Sequence, residues 1–197
     1  AALHTLKDRG LIYPCFCTRK DIQREISSAS NAPHGPDGPI YPGICRNINQ
    51  QEQSERIAAG TPHAFRLKTD IAIAQTGPLT WHDNDAGAVH ASPEIFGDVV
   101  VARKDIPTSY HLSVTIDDHL QGINLVTRGR DLFPASHLHR LLQALLGFEP
   151  PAYHHHDLLT GEDGKRFAKR NKSLTLRSFR SRGFTPAQVK SLVGWTI

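Results

Sequence analysis

Ile123–Gly147 reads INLVTRGRDLFPASHLHRLLQALLG, and its two halves carry different periodicities. Ile123–Val126 is a short apolar run, which predicts a buried strand. Beyond a turn bearing Arg128 and Pro134, Leu138, Leu141, Leu142 and Leu145 recur at helical spacing and share one face. Ser136 is placed to cap this helix and Gly147 to end it. A strand running into an amphipathic helix is the repeating unit of α/β folds, so the second half of the chain is read as α/β.

Working outward, TPAQVKSLVG predicts a second capped helix, with Thr185 as N-cap, Pro186 in the first turn, Gln188 closing a capping box and Gly194 at the stop. Toward the N-terminus, SYHLSVTIDDHLQG fits helix or strand equally. HAFRLK and GDVVVARKD read as strands, and the stretch between them, IAIAQTGPLTWHDNDAGAVHASPEIFG, reads as turns and short strands. QEQSERIAAG predicts a short helix stopped by Gly60, and Leu3, Leu6 and Leu11 predict a first helix ended by Gly10. Residues 27–43, rich in Ser, Pro and Gly, predict a long irregular loop. There is no internal repeat.

The chain has 197 residues, 39% of them apolar and 21% charged, which suits a globular protein with a core of its own. It contains no apolar run long enough to span a bilayer, and AALHTLKDRG does not have the layout of a signal peptide. Three cysteines are too few for a disulfide scaffold, so a reducing cytoplasm is expected. The net charge of +4 is unevenly spread. Residues 161–197 carry nine Lys/Arg against two acids, whereas residues 1–160 carry fourteen against seventeen. A basic end on a mildly acidic body suits a polyanion partner, and equally a solvated helix face.

Two of the three thiols stand one residue apart in LIYPCFCTRKDI, as Cys15 and Cys17; the third, Cys45, follows the Pro/Gly loop. Three thiols are one ligand short of a closed tetrahedral zinc site, and either Tyr41 or His34 can supply the fourth. A structural zinc would tie down a loop that has no core. The plainer reading is three partly buried free thiols. Tyr153–His156, YHHH, also invites a metal. Neighbouring residues on an extended segment face opposite ways, however, so at most two could share an ion, and the run is assigned to strand packing and nucleotide-pocket walls. Asp117-Asp118 could bind Mg²⁺ in the abstract, but is read as a helix terminus or as a pair that supports a site without touching the ligand.

Six segments, in order, are YPCFCTRKDI, YPGICR, HAFRLK, Gly97–Gly147, YHHHDLL and GKRFAKRN. Together they resemble the glutamyl-Q tRNA(Asp) synthetases, short relatives of the glutamyl-tRNA synthetase catalytic core in class I. The resemblance runs from about residue 3 to the end. It implies a Rossmann-like nucleotide-binding fold with a zinc-bearing insertion and a small helical C-terminal end. On that plan residues 1–14 finish an upstream helix, 15–104 form the zinc-bearing insertion, 105–160 the second half of the nucleotide fold, and 161–197 a KMSKS-like loop and C-terminal helices. The implied zinc ligands are Cys15, Cys17, Tyr41 and Cys45.

Lys169, in KRFAKR, matches the second lysine of the KMSKS loop, which closes on ATP; Phe167 and Ala168 depart from that motif. Tyr110 and Arg128 match the family's contacts to glutamate. A guanidinium can grip a carboxylate with two parallel hydrogen bonds. On the residues alone, Arg128 reads as a surface ion-pair partner and Tyr110 as a core tyrosine. The family's HIGH motif is not found, so the resemblance implies that the first half of the nucleotide fold lies upstream of Ala1 and that these residues alone form no adenylate.

The implied reaction is ATP-dependent activation of glutamate, with Mg²⁺ accompanying ATP, followed by transfer to queuosine in the anticodon of tRNA(Asp). The implied assembly is a monomer without a membrane. Two alternatives stand beside it: a piece of a conventional glutamyl-tRNA synthetase, and a zinc-dependent RNA-binding module without catalysis.

Overall fold

The computed structural model describes residues 1–28, 33–160 and 175–194. Residues Ala1–Arg128 with Leu132–His155 form one compact unit, and Gly129–Asp131 with His156–Ile197 form a second.

The first unit opens with helix α1 (Ala2–Asp8), whose Leu6 is fully buried and whose chain turns at Gly10 with φ of 66°. Strand β1 (Ile12–Cys15) is buried along its whole length. It pairs antiparallel with β4 (Ala64–Leu67), which pairs antiparallel with β7 (Val100–Ala102), giving a three-stranded sheet. Between β1 and β4 lie helix α2 (Arg19–Ser28), the two-residue strands β2 (His34–Gly35) and β3 (Gly38–Pro39), and helix α3 (Gln50–Ala58).

The Pro/Gly segment is therefore not wholly irregular: β2 and β3 form a tight hairpin. It lies against a 3-10 turn at Pro93–Phe96. A Cβ on Gly35 would stand 2.4 Å from the carbonyl oxygen of Ile95, and one on Gly97 would stand 2.4 Å from Ile40. Gly97 also has φ of 58°, so both positions need glycine.

A second sheet has the order β6-β5-β9-β8. Strands β5 (Thr80–Asp83) and β6 (Gly87–His90) form a hairpin, and β9 (Ala152–His156) runs parallel to β5. β8 (Leu125–Gly129) lies at the edge. The strand begins two residues later than expected, and the expectation of burial fails: Leu125 in it and Ile123 just before it are about two-fifths exposed. An edge strand is covered on one side only, and apolar content does not reveal that.

Helix α4 (Thr69–Thr76) corrects a second expectation. IAIA alternates like a strand, but alanine is the strongest helix former, and Ala72 is fully buried. The ambiguous segment is a helix, α5 (Tyr110–Leu120), because Ser109 caps it by accepting from Leu112 N–H. Its last turn holds Asp117 and Asp118, as expected.

Helix α6 (Phe133–Leu146) carries the leucine face into the core, where Leu138, Leu141 and Leu142 are fully buried, and ends at Gly147 in the left-handed region. Ser136 is not its cap. The cap position is Leu132, four residues earlier, with Pro134 in a first turn that needs no proline N–H, which leaves Ser136 fully buried inside.

One buried carboxylate ties the first sheet to its connections. Asp98 accepts from Tyr13 hydroxyl (2.8 Å), Thr69 N–H (3.1 Å) and the Arg46 guanidinium (3.0 and 2.9 Å), and Arg46 also pairs with Asp70.

In the second unit, Arg130 pairs with Asp157 at 3.0 Å. Helices α7 (Leu176–Ser181) and α8 (Pro186–Leu192) each open with a capping box, Thr175 with Ser178 and Thr185 with Gln188. Phe179 and Phe184 meet edge to face at 5.3 Å under Arg182.

Candidate functional site

The three thiols come together. β1 delivers Cys15 at its buried end, Cys17 follows, and the turn after Gly43 brings Cys45 back. The three sulfurs lie within 4.8 Å of one another, with Cys17 and Cys45 at 3.3 Å. Tyr41 Oη stands 3.4 Å from Cys15 Sγ and 3.5 Å from Cys17 Sγ. Of the two fourth-ligand candidates, Tyr41 is in the cluster; His34, in β2, is not part of the metal-ligating group found there.

The donor set suits a tetrahedral dication. Four ligands at the usual zinc–sulfur distance sit on edges of about 3.8 Å, close to the spacings here. Backbone N–H groups point at the donor atoms, Phe16 N–H at Cys45 Sγ (3.4 Å) and Cys45 N–H at Tyr41 Oη (2.9 Å), as anionic ligands require.

Arg66 lies over the Tyr41 ring at 3.6 Å and offsets part of the ligands' negative charge. Burial opposes ionisation of Cys15, but the Tyr41 hydroxyl and Arg66 outweigh it and bring that thiol down. Cys17 is pushed up to about 12, by burial above all and by the neighbouring thiols. Burial and both thiols also hold the Tyr41 phenol up.

A second cluster surrounds Arg128 at the end of β8. Its Nε donates to His155 Nε2 (3.1 Å), its Nη2 to Ser136 Oγ (2.5 Å), and its Nη1 lies 3.4 Å from His139 Nδ1. Among the described residues no carboxylate lies within ion-pair distance of it, so the surface ion-pair reading does not hold; Asp118 is near enough that Arg128 opposes the rise burial gives its pKa. A guanidinium has five N–H donors. Three are engaged here, all by neutral partners, and two are left.

Tyr110 opens α5 and is 54% exposed, which sets aside the core reading. Its ring meets His139 at 6.0 Å and His111 at 5.4 Å, so Tyr110 and Arg128 flank the same histidine. His111 also lines a cleft of about 290 Å³ shared with Asp37, Arg66 and Asp98.

The partners of Arg128 were not foreseen in this role. By sequence Ser136 reads as a cap, His155 as strand packing or pocket wall, and Asp83 and His139 carry no signal. On β9, Tyr153 and His155 are buried while His156 faces out, which matches the opposite-face argument for YHHH. His155 Nδ1 lies 2.6 Å from Asp83 Oδ2, and both residues are 1% exposed. Burial raises Asp83, but His155 and the N–H groups of Ala86 and Asp85 bring it below the usual carboxylate value.

His139 is held far below an ordinary histidine by burial, then by Arg128 and His111. His111 is lowered by burial and Arg128 against Asp37, and His137 by burial against Glu94. Neutral histidines keep Arg128 the local positive charge. For a base whose folded pKa is depressed, the unfolded chain binds the proton first. Stability is then present above about pH 6.5 and lost as pH falls toward the folded value, at ~1.4 kcal/mol per pH unit per proton. The urea midpoint is expected to drop between about pH 7 and about pH 5.5. His139→Gln should flatten that slope, and a slope equal to wild type would contradict the assignment.

The family described as tRNA synthetases class I (E and Q), catalytic domain, matches residues 1–196. The chain belongs to that family. Its relatives among characterised proteins include the glutamyl-Q tRNA(Asp) synthetase of Rhodobacter capsulatus, 42% identical over 98% of this chain and 70% of that protein. The enzyme of the same name from Nocardia farcinica is 40% identical over 98% of this chain. This chain spans 58% of the Nocardia protein's length. A crystal structure of a glutamate tRNA ligase from Elizabethkingia meningosepticum, in complex with its amino acid, has the same fold: TM-score 0.68 at 21% identity, over 92% of this chain and 35% of that one.

In this class I synthetase domain, no described helix is long and apolar enough to cross a membrane. Lys169 and the KMSKS-like segment lie outside the described residues.

Proposed function

We propose that this synthetase domain serves an ATP-dependent ligase that activates glutamate and transfers it to queuosine in the anticodon of tRNA(Asp). The observation that carries the reading is Arg128: a guanidinium held by three neutral side chains, with two donors left and Tyr110 one histidine away. A fixed cation with a free donor pair suits a carboxylate and rejects the neutral amide of glutamine. The 42% identical relative that bears the glutamyl-Q name supports the nucleic-acid half of the reading.

In the reaction, an α- or side-chain carboxylate of the amino acid must be held while the reacting carboxylate oxygen attacks the α-phosphorus of ATP. The new P–O bond forms as the bond to pyrophosphate breaks. Tyr110 and Arg128 orient the amino acid. Lys169 meets the charge developing on pyrophosphate, with Mg²⁺ on the ATP. The adenylate then passes glutamate to the nucleic acid and releases AMP.

Cys15, Cys17, Tyr41 and Cys45 would hold a structural zinc, which would tie the Pro/Gly segment to β1. We assign residues 15–104 to the zinc-bearing insertion, 105–160 to the nucleotide-binding half, and 161–197 to the ATP loop and a basic helical end facing RNA phosphates.

The test supplies the complete native protein with ATP, labelled glutamate, and separate tRNA(Asp) and tRNA(Glu). Label on queuosine-containing tRNA(Asp) alone is expected. Label on the terminal adenosine of tRNA(Glu) would make this a conventional glutamyl-tRNA synthetase core. RNA binding without glutamate-dependent ATP turnover would leave a non-catalytic module.

A further inference from the structure

We propose that the buried Asp83–His155 pair is a positioning device for Arg128, fixing the histidine tautomer that lets the guanidinium be held by its Nε. The inference rests on the reading of Arg128 as the grip on the amino acid's carboxylate.

Donor counting carries the argument. Arg128 Nε–H can only donate, so His155 Nε2, 3.1 Å away, must accept. The other ring nitrogen, Nδ1, must then carry the proton, and it donates it to Asp83 Oδ2 at 2.6 Å. Asp83 is locked in turn: its Oδ1 accepts from the N–H groups of Asp85 and Ala86, each at 3.0 Å, in the turn between β5 and β6.

The chain of acceptors runs from a hairpin turn, through an ionised carboxylate and a neutral imidazole, to the guanidinium. Ser136 closes the ring, with Oγ accepting from Arg128 Nη2 and lying 3.2 Å from His155 Nε2. Tyr153 stacks on His155 at 5.7 Å and lies under Arg128 at 5.2 Å, so the imidazole cannot swing aside. With Nε and one N–H of each Nη pinned, the two donors left have a fixed direction, as recognition of a carboxylate demands.

Asp83→Asn tests this without changing shape. The two backbone N–H groups keep an oxygen at the Oδ1 position, which turns the new amide NH₂ toward His155. Nδ1 must then accept, Nε2 must carry the proton, and it meets Arg128 Nε–H donor to donor.

In the complete native protein, glutamate-dependent ATP–pyrophosphate exchange is expected to show KM for glutamate raised on the order of 10- to 100-fold, with KM for ATP and kcat little changed. Nitrogen-15 NMR should show His155 switched from the Nδ1–H to the Nε2–H tautomer.

A switched tautomer with unchanged KM for glutamate overturns the proposal. So does an equal loss in KM for ATP and in kcat, which marks general disruption. Arg128→Gln, measured in parallel, separates the two layers: if it leaves KM for glutamate unchanged, the reading of Arg128 fails and the inference with it. Should Asp83→Asn not fold, the unmodified protein still decides, since His155 protonated at Nε2 rather than Nδ1 refutes the arrangement.

Discussion

Arg128→Gln is expected to lower kcat/KM for glutamate by about three orders of magnitude, since each hydrogen bond to a charged group contributes roughly 1.5–3 kcal/mol and two donors are lost from the ligand. The glutamine cannot reach His155, Ser136 and His139 together, so some loss of stability accompanies it. Thermal unfolding measured alongside separates that part. Arg128→Lys is the sharper variant. It keeps the charge and loses the planar fork, so it should retain thermal stability better yet remain far below wild type for glutamate. A lysine variant with wild-type kcat/KM would show that only charge is needed there. KM for ATP should move little in either variant, because the proposed grip is on the amino acid.

Metal removal is the second large effect. The purified protein is expected to hold about one zinc per chain, measured by atomic emission. Stripping it with a chelator should lower Tm by roughly 10 °C or more, since several kcal/mol of metal-linked folding energy are lost and a chain of this size shifts by about 2–4 °C per kcal/mol. The physical reason is local. Residues 33–45 contribute Tyr41 and Cys45 to the buried cluster but little to the main core, which is built from α1, β1, β4, α5 and α6.

Cys45→Ser should lose the metal, and Tyr41→Phe should weaken it while keeping the ring under Arg66. A protein that holds no metal as purified, and whose Tm is untouched by chelator, would return the thiols to the plainer reading of a buried cysteine cluster. Activity loss by itself does not test the metal, because collapse of the proposed insertion would also remove the RNA contacts proposed for it.

The elements that were legible have local causes. The ends of α1, α3 and α8 follow from glycines and capping side chains a few residues away, and the leucine face of α6 from a 3.6-residue repeat. The cysteine cluster was legible because C-x-C with a third thiol across a Pro/Gly loop has few other uses. Tyr110 and Arg128 are singled out only through resemblance, since one tyrosine and one arginine carry no pattern.

The misreadings were also physical. IAIA satisfies a strand period and a helix propensity at once, and packing of Ala72 settled it. INLV is as apolar as a central strand but lies at an edge.

The sequence by itself determined the α/β character, the capped helices, the three thiols with Tyr41 as a candidate fourth ligand, and the resemblance that family membership bears out. The tertiary structure brings Tyr41 to the thiols, in keeping with the ligand set that the resemblance implies, and it alone moved Ser136 from the helix cap into the interior. It alone made Arg128 a cation with neutral partners rather than a surface ion-pair member. The Asp83–His155 bond joins residues 72 positions apart. No periodicity or propensity spans that distance. Only the parallel pairing of β5 with β9 makes the two residues neighbours, and only burial obliges each polar atom there to find a partner.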